Sequence, residues 1–432
     1  MDLYRSAAAA LPNDPVIQSN YGLAFLYLGR RQSASGDNPG AHRSYAQAAR
    51  MFDGVLARNP SDRAAVDGSS GTQEELSRLL TLEGDYPGAI EQSSKAVGVT
   101  RRMLAAEPAN PDRLDALASS LGQLAVSLQR NGEVPKAADN YRQVVELREQ
   151  LAQRYPQNAR FRRPVMLAAA HLGEVLGYPY TSNLGDFTGA RIQFQRMLDI
   201  AESATSGDAA NKTAPMDLAE AQLRMGGLLE ASEPQVALRH FQAALKLLTQ
   251  LPAADPDTVA FQASRGLVES RIGAILVSEG RSVEGMARLS SALEITRALQ
   301  KRQPKNIDYA IIFLMSASDM ARALARTHNR AGLDALAEET VHVLERLHGA
   351  RVSSFTAARR PRTQFAVGEA YELMKARPQA CEWFHQSVEA WREIEASSGI
   401  VANQRALQAG AVRGYAACGG AVEALISSGA KP

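Results

Sequence analysis

Leu114, Leu117, Leu121, Leu124 and Leu128 follow one another at spacings of 3, 4, 3 and 4 residues, which lays them along one stripe of a helix with 3.6 residues per turn. Ala137, Tyr141 and Val144 form a second stripe at helical spacing. Between the two, Asn131-Gly132-Glu133 predicts a turn, because glycine tolerates the left-handed backbone that ends a helix. Pro156 closes the pair: it has no N–H for a helical ladder and biases Tyr155 away from helix. The segment therefore predicts a hairpin of two helices, each about 20 residues and roughly 30 Å long. Nowhere do β-branched and aromatic residues alternate with polar ones for long enough to predict a sheet. The expected class is all-α.

The same punctuation recurs along the chain. Gly36, Gly84 and Gly132 lie 48 residues apart, each before an acidic residue, Asp37, Asp85 or Glu133. Five residues after each glycine stands an alanine, and the series Ala41, Ala89, Ala137, Ala190, Ala237, Gly285, Leu333, Ala380 advances in steps of 48, 48, 53, 47, 48, 48 and 47. Pro60, Pro108, Pro156, Pro256 and Pro304 each follow a member of that series by 19 residues. A small residue at the start of each second helix fits a close helix crossing, where a large side chain has no room. Such a hairpin buries one face by itself and the other against its neighbour, so several must stack. The predicted organisation is a solenoid of about eight hairpins over residues 13–399. Residues 1–12 read as the tail of a preceding helix, and 400–432 as a C-terminal capping helix and tail. The array reads as cut at its start, so preceding residues or a partner are expected to cover that end.

Composition narrows the function more than the fold. Over 432 residues, 48 Lys+Arg against 46 Asp+Glu leave a net charge of +2, which gives no global field toward nucleic acid or an anionic membrane. The longest strongly apolar stretch, Tyr309 to Ala317, is too short to span a bilayer, and Met1-Asp-Leu-Tyr-Arg lacks a signal pattern. No membrane insertion by this chain is expected. Cys381 and Cys418 are too few for a disulfide framework or a four-thiolate site and leave the redox compartment open. His385 lies one turn after Cys381, but two ligands do not close a metal site. No nucleophile elbow or zinc-binding helix motif occurs, so no catalytic residues, no metal and no cofactor are expected.

At the repeat residues the chain resembles the tetratricopeptide family, whose unit of about 34 residues has a Gly-Asp turn, an alanine, an aromatic four later and a closing proline. Ala41-Tyr45-Ala48, Ala237-Phe241-Ala244 and Ala380-Phe384-Ser387 keep that spacing, as do Gly273 and Gly368 at the small position of the first helix. The resemblance implies a right-handed solenoid. Each helix is about seven residues longer than in that family, and a heptad shifts the apolar face by only ~20°, so packing phase survives. The repeat around Ile307 to Leu347 departs furthest, with His328-Asn329 for Gly-Asp and Leu333 for the small residue. Gly177-Tyr178-Pro179-Tyr180-Thr181-Ser182-Asn183-Leu184-Gly185-Asp186 resembles a turn found in long-helix repeat regions at the C-termini of certain bacterial membrane-anchored Ser/Thr protein kinases. This chain carries none of the glycine-loop, His-Arg-Asp or Asp-Phe-Gly motifs of such kinases.

Three groups are candidates for contact with a partner. Arg30 and Arg78 each stand eleven residues before the repeat alanine, at a position that in the resembled family faces the concave groove. Arg130 is expected near the same row. Arginines there could pair with carboxylates of an acidic extended or helical segment, against the alternative of solvated surface. Tyr178 and Tyr180 lie in the inserted residues behind the 53-residue step, an insertion expected to project from the stack and either meet a partner or cap the hairpin edge. Arg359-Arg360-Pro361-Arg362 reads as a solvated basic loop, against the alternative of contact with an acidic peptide or phosphate. The leading expectation is a non-catalytic protein–protein interaction scaffold presenting a groove to a peptide or helix. The alternatives are the accessory or sensory segment of a kinase whose catalytic domain is absent from this chain, and a self-associating array. The compartment follows from that choice: cytoplasmic for a free scaffold, extracytoplasmic for an anchored kinase.

Overall fold

A computed structural model describes residues 2–419, apart from 208–210, 212, 251–257, 305, 349–353, 399 and 401. Among these residues the regular structure is helical throughout and no strand occurs. Pro256 of the proline series and the tail beyond residue 419 lie outside the described residues. The chain forms two compact bodies, residues 1–168 and 169–432.

The N-terminal body holds α1 (Asp2–Ala10) and three hairpins: α2 (Pro15–Ala34) with α3 (Asn38–Leu56), α4 (Arg63–Glu83) with α5 (Tyr86–Ala106), and α6 (Pro111–Arg130) with α7 (Val134–Arg154). The Gly-acid signature divides into two physical tasks. Gly36, Gly84 and Gly132 take φ of 82, 78 and 87°, the left-handed region where other residues are strained. The carboxylates of Asp37 and Asp85 then accept from the backbone N–H of Gly40 and Gly88, at 2.9 and 3.1 Å, satisfying donors that a helix start leaves unpaired. Glu133 starts α7 without a side-chain cap. Leu114, Leu117, Leu121 and Leu128 are buried, as are Ala137, Tyr141 and Val144 opposite them. Ala137 has no accessible surface, so Ala137→Leu should overpack the α6–α7 crossing and cost about 1–3 kcal/mol. A urea titration followed by circular dichroism measures this; an unchanged midpoint would refute the crossing argument.

The boundary between the bodies falls within α8 (Arg162–Gly177). The C-terminal body continues with α9 (Phe187–Gly207), then α10 (Ala214–Leu229) with α11 (Pro234–Gln250), and α12 (Thr258–Ser278) with α13 (Ser282–Arg302). There follow α14 (Ile307–Arg326) with α15 (Arg330–Leu347), the short α16 (Ser354–Ala357), α17 (Arg359–Leu373) with α18 (Arg377–Ser398), and α19 (Ala402–Ala417). In this body the aromatic after the small residue fills a gap opened by a glycine of the first helix. A Cβ on Gly173, Gly226 or Gly368 would fall 2.6–2.7 Å from the ring of Phe194, Phe241 or Phe384. The α12–α13 crossing is closer still: a Cβ on Gly273 would lie 2.8 Å from the carbonyl oxygen of Gly285, backbone that cannot move aside. The divergent repeat keeps its geometry by substitution. His328 takes φ 54° where glycine stands elsewhere, and Asn329 caps α15 through the N–H of Gly332 at 2.9 Å.

Two features depart from the sequence expectations. Arg359-Arg360-Pro361-Arg362 is the first turn of α17, with Arg359 and Pro361 buried, rather than a solvated loop; proline is tolerated there because a first turn has spare N–H groups. Cys381 of α18 and Cys418, just past α19, form a disulfide with Cα atoms 5.6 Å apart. Packing holds the same helix: Ala411 joins Val388, Trp391, Ile394 and Ala358 in a small core.

Candidate functional site

Charged and polar side chains link the first helices of successive hairpins within each body. In the N-terminal body Arg30 of α2 and Arg78 of α4 share one carboxylate: Arg30 Nε and Arg78 Nη1 each donate to Glu75 Oε1 at 2.9 Å. Arg78 Nε reaches Gln123 Oε1 of α6 at 3.4 Å, and the Arg30 guanidinium lies 5.5 Å from the Tyr27 ring centre. Both arginines remain about half exposed, at 43 and 52%, while Glu75 is 14% exposed. Arg130 does not join this row. It stands seven residues before Ala137, one helical turn beyond Val126, which holds the equivalent position, and is exposed within electrostatic range of Tyr86.

In the C-terminal body the Tyr-Pro-Tyr insertion folds inward instead of projecting. Tyr178 is 8% exposed, edge-on to Phe194 and Tyr180 with centroids 5.5 and 5.3 Å apart. The turn is tied by Asn183, whose Nδ2 donates to the carbonyls of Tyr178 and Thr181 at 2.7 and 3.0 Å and whose Oδ1 accepts from Gly185 N at 2.9 Å. Gly185 is left-handed at φ 79°, and Asp186 caps α9 through Gly189 N at 2.8 Å. The Tyr180 hydroxyl donates to Glu230, and its ring lies under the Arg271 guanidinium at 5.0 Å. Burial pushes the hydroxyls of both tyrosines upward, so both stay protonated.

Around Tyr180 runs a sequence of ion pairs. Arg224 of α10 joins Glu174 of α8 at 2.8 Å and Glu220 at 2.6 Å, and Glu220 accepts from Ser264 of α12 at 2.6 Å. Arg271 of α12 reaches Asp319 of α14 at 2.8 Å and Glu230 at 3.8 Å, while Asp319 also accepts from Ser270 Oγ at 2.7 Å. Arg322 of α14 pairs with Glu369 of α17 at 3.2 Å. Burial alone would raise the Glu174 carboxyl, yet Arg224 and His171 bring it down to about 2. Burial likewise opposes the charge of Arg271, and Asp319, Tyr180 and Glu230 outweigh it, so its pKa lies above the usual value. Glu230 moves upward because burial exceeds the pull of Arg271.

Behind the ion pairs lies a pocket of about 270 Å³ between α12 and α14. Ala274, Ile275, Val277 and Ala323 supply apolar wall, Arg271, Arg322 and Arg326 supply positive charge, and Glu230 and Asp319 supply carboxylates. A repeat-register signal could have found these residues. Glu75, Gln123, Arg271 and Asp319 all stand fourteen residues before the repeat small residue, and Arg322 and Glu369 stand eleven before it, as Arg30 and Arg78 do.

A tetratricopeptide repeat family model matches residues 117–154, most of α6 and all of α7. No curated protein matches the sequence. Among solved structures, BtubC (BKLC) from P. vanneervenii is 17% identical, covering 60% of this chain and 90% of its own, with a TM-score of 0.46. A Rap protein complexed with competence and sporulation factor is 10% identical, covering 94 and 99%, with a TM-score of 0.46. The apo form of the quorum sensor NprR from B. thuringiensis is 11% identical, covering 85 and 98%, with a TM-score of 0.43.

Proposed function

We propose that this chain is a non-catalytic interaction scaffold whose first-helix face holds a peptide or helical segment of another protein. The observation that carries the reading is the row of charged and polar side chains that links successive first helices, from α2 through α6 in one body and α8 through α17 in the other. Side chains fixed at hairpin spacing on packed helices bind a chain segment with little ordering cost on the receptor side. In the turn at 177–186 Tyr178 and Tyr180 are engaged in packing and hydrogen bonding within the C-terminal body, so they offer little free surface to a kinase-linked partner.

The test is selection from a peptide library on the intact protein, followed by affinity measurements on variants. Arg30→Gln with Arg78→Gln removes both charges from half-exposed positions and leaves side-chain amides able to donate to Glu75, so the helical spectrum should stay intact. Segments that dock on the N-terminal body should then bind at least about tenfold more weakly, a change of about 1.4 kcal/mol. A library that yields no binder, together with a mass that rises with concentration, would replace this reading with self-assembly.

A further inference from the structure

Around the pocket between α12 and α14, the arginines Arg271, Arg322, Arg326 and Arg362 outnumber the carboxylates Glu230, Asp319 and Glu369. Asp319 and Glu230 face Arg271, and Glu369 faces Arg322. Arg326, exposed on the last turn of α14, lines the pocket and has no carboxylate or other hydrogen-bond partner among the described residues. Arg362, half-buried in the first turn of α17, also meets no carboxylate among the described residues, and it lies within electrostatic range of Tyr180, Arg271 and Arg322. Inside the same cluster the Nε–H of Arg271 is buried without an acceptor. The half-buried guanidinium of Arg362 and the orphaned Nε–H of Arg271 are costly to maintain without an anion, and the exposed Arg326 stands beside them at the pocket. Their planar donor sets suit carboxylates in particular.

Resting on the scaffold reading, we propose that the pocket between α12 and α14, flanked by Arg322, Arg326 and Arg362, is the anchor point for an acidic peptide segment. Its carboxylates pair with Arg326 and Arg362, and a small apolar side chain beside them enters the wall formed by Ala274, Ile275, Val277 and Ala323. The cavity of about 270 Å³ has room for an anchor of that size and not for a folded domain. The charge complement is local: the chain as a whole is nearly neutral at +2, so attraction of an acidic segment has to come from a local cluster of this kind.

The experiment is fluorescence anisotropy of the intact protein with a labelled peptide of alternating Glu and Ala, its Gln analogue, and versions with free and amidated C-termini. The Glu peptide should bind, the Gln analogue at least about tenfold more weakly, and the affinity should fall as salt rises. Arg326→Gln, at an exposed position, and Arg326→Gln with Arg362→Gln should each weaken the Glu peptide, while Arg30→Gln with Arg78→Gln should not. The single variant keeps the test open should the double variant fold poorly. A loss on amidation alone would assign the site to a terminal carboxylate, and no effect of amidation would assign it to side chains; either agrees with a carboxylate anchor. Equal binding of the Gln analogue, or indifference to Arg326 and Arg362, would overturn the proposal. So would a phosphopeptide binding far more tightly than the Glu peptide. Library peptides that bind without acidic character would remove this anchor and leave the scaffold standing, whereas no binder of any kind would remove both.

Discussion

Arg224→Met is expected to destabilise the C-terminal body by about 3 kcal/mol at neutral pH. Arg224 holds Glu174 and Glu220 together, with all three side chains 16–24% exposed, and removing one member of such a cluster leaves uncompensated charge in poorly solvated surroundings. The size follows from Glu174. Its carboxyl lies at about 2 in the folded protein against 4.5 ordinarily, and each unit corresponds to about 1.4 kcal/mol. Because the folded value is depressed, the contribution is complete above about pH 4.5 and is lost as the pH falls toward 2. The difference between the parent protein and Arg224→Met should therefore be largest at neutral pH and shrink through that acid window. Both tryptophans of the chain, Trp383 and Trp391, are buried on α18, so urea unfolding followed by tryptophan fluorescence reports this body without a label. In a stack whose hairpins support their neighbours, a loss at α10 reaches α18 through the shared interfaces. A difference that stays constant from pH 7 to pH 3 would show that Glu174 does not depend on Arg224.

The hairpins were legible because their punctuation is steric and local. A left-handed glycine followed by a capping aspartate, a small residue at the crossing and a proline after the second helix each admit few substitutes. Even the divergent repeat obeys the rule, since Asn329 caps as aspartate does and His328 accepts the left-handed turn. The charge row was half legible. Arg30 and Arg78 were found by their distance from the repeat alanine, and the same distance applied to Leu333 and Ala380 leads to Arg322 and Glu369. Arg130 was misplaced because proximity along the helix stood in for register. What the sequence left open was direction, inward or outward. Tyr180 turns inward because Glu230 and Arg271, 50 and 91 residues later, await it, and no local pattern carries that. Arg359 reads as surface for the same reason: its burial depends on neighbouring elements that only the folded stack brings together. Pairing of the cysteines was equally hidden, since a separation of 37 residues places them together only once α19 folds back onto α18.

That fold-back sets up the other large effect. Loss of the Cys381–Cys418 bond should destabilise the docked α19 by about 3–4 kcal/mol, the loop-closure entropy of a segment of this length in the chain-entropy account. The helix then depends on contacts that are real but small in area: Ala411 against Trp391, Tyr415 against His385, and Gly414 beneath Phe384. An element held by so few contacts opens early when a constraint is removed. Alkylation of unreduced, denatured protein should add no label, and reduction before alkylation should add two. Cys381→Ala with Cys418→Ala should shift Trp391 emission toward that of an exposed indole at a lower urea concentration than in the parent, because α19 covers that ring. Two labels without reduction would mean the bond does not form in the purified protein. An unshifted midpoint in the double variant would instead assign the docking of α19 to packing alone. Because disulfides persist in oxidising compartments and are reduced in the cytosol, the bond also ties the rigidity of the last hairpin to redox conditions.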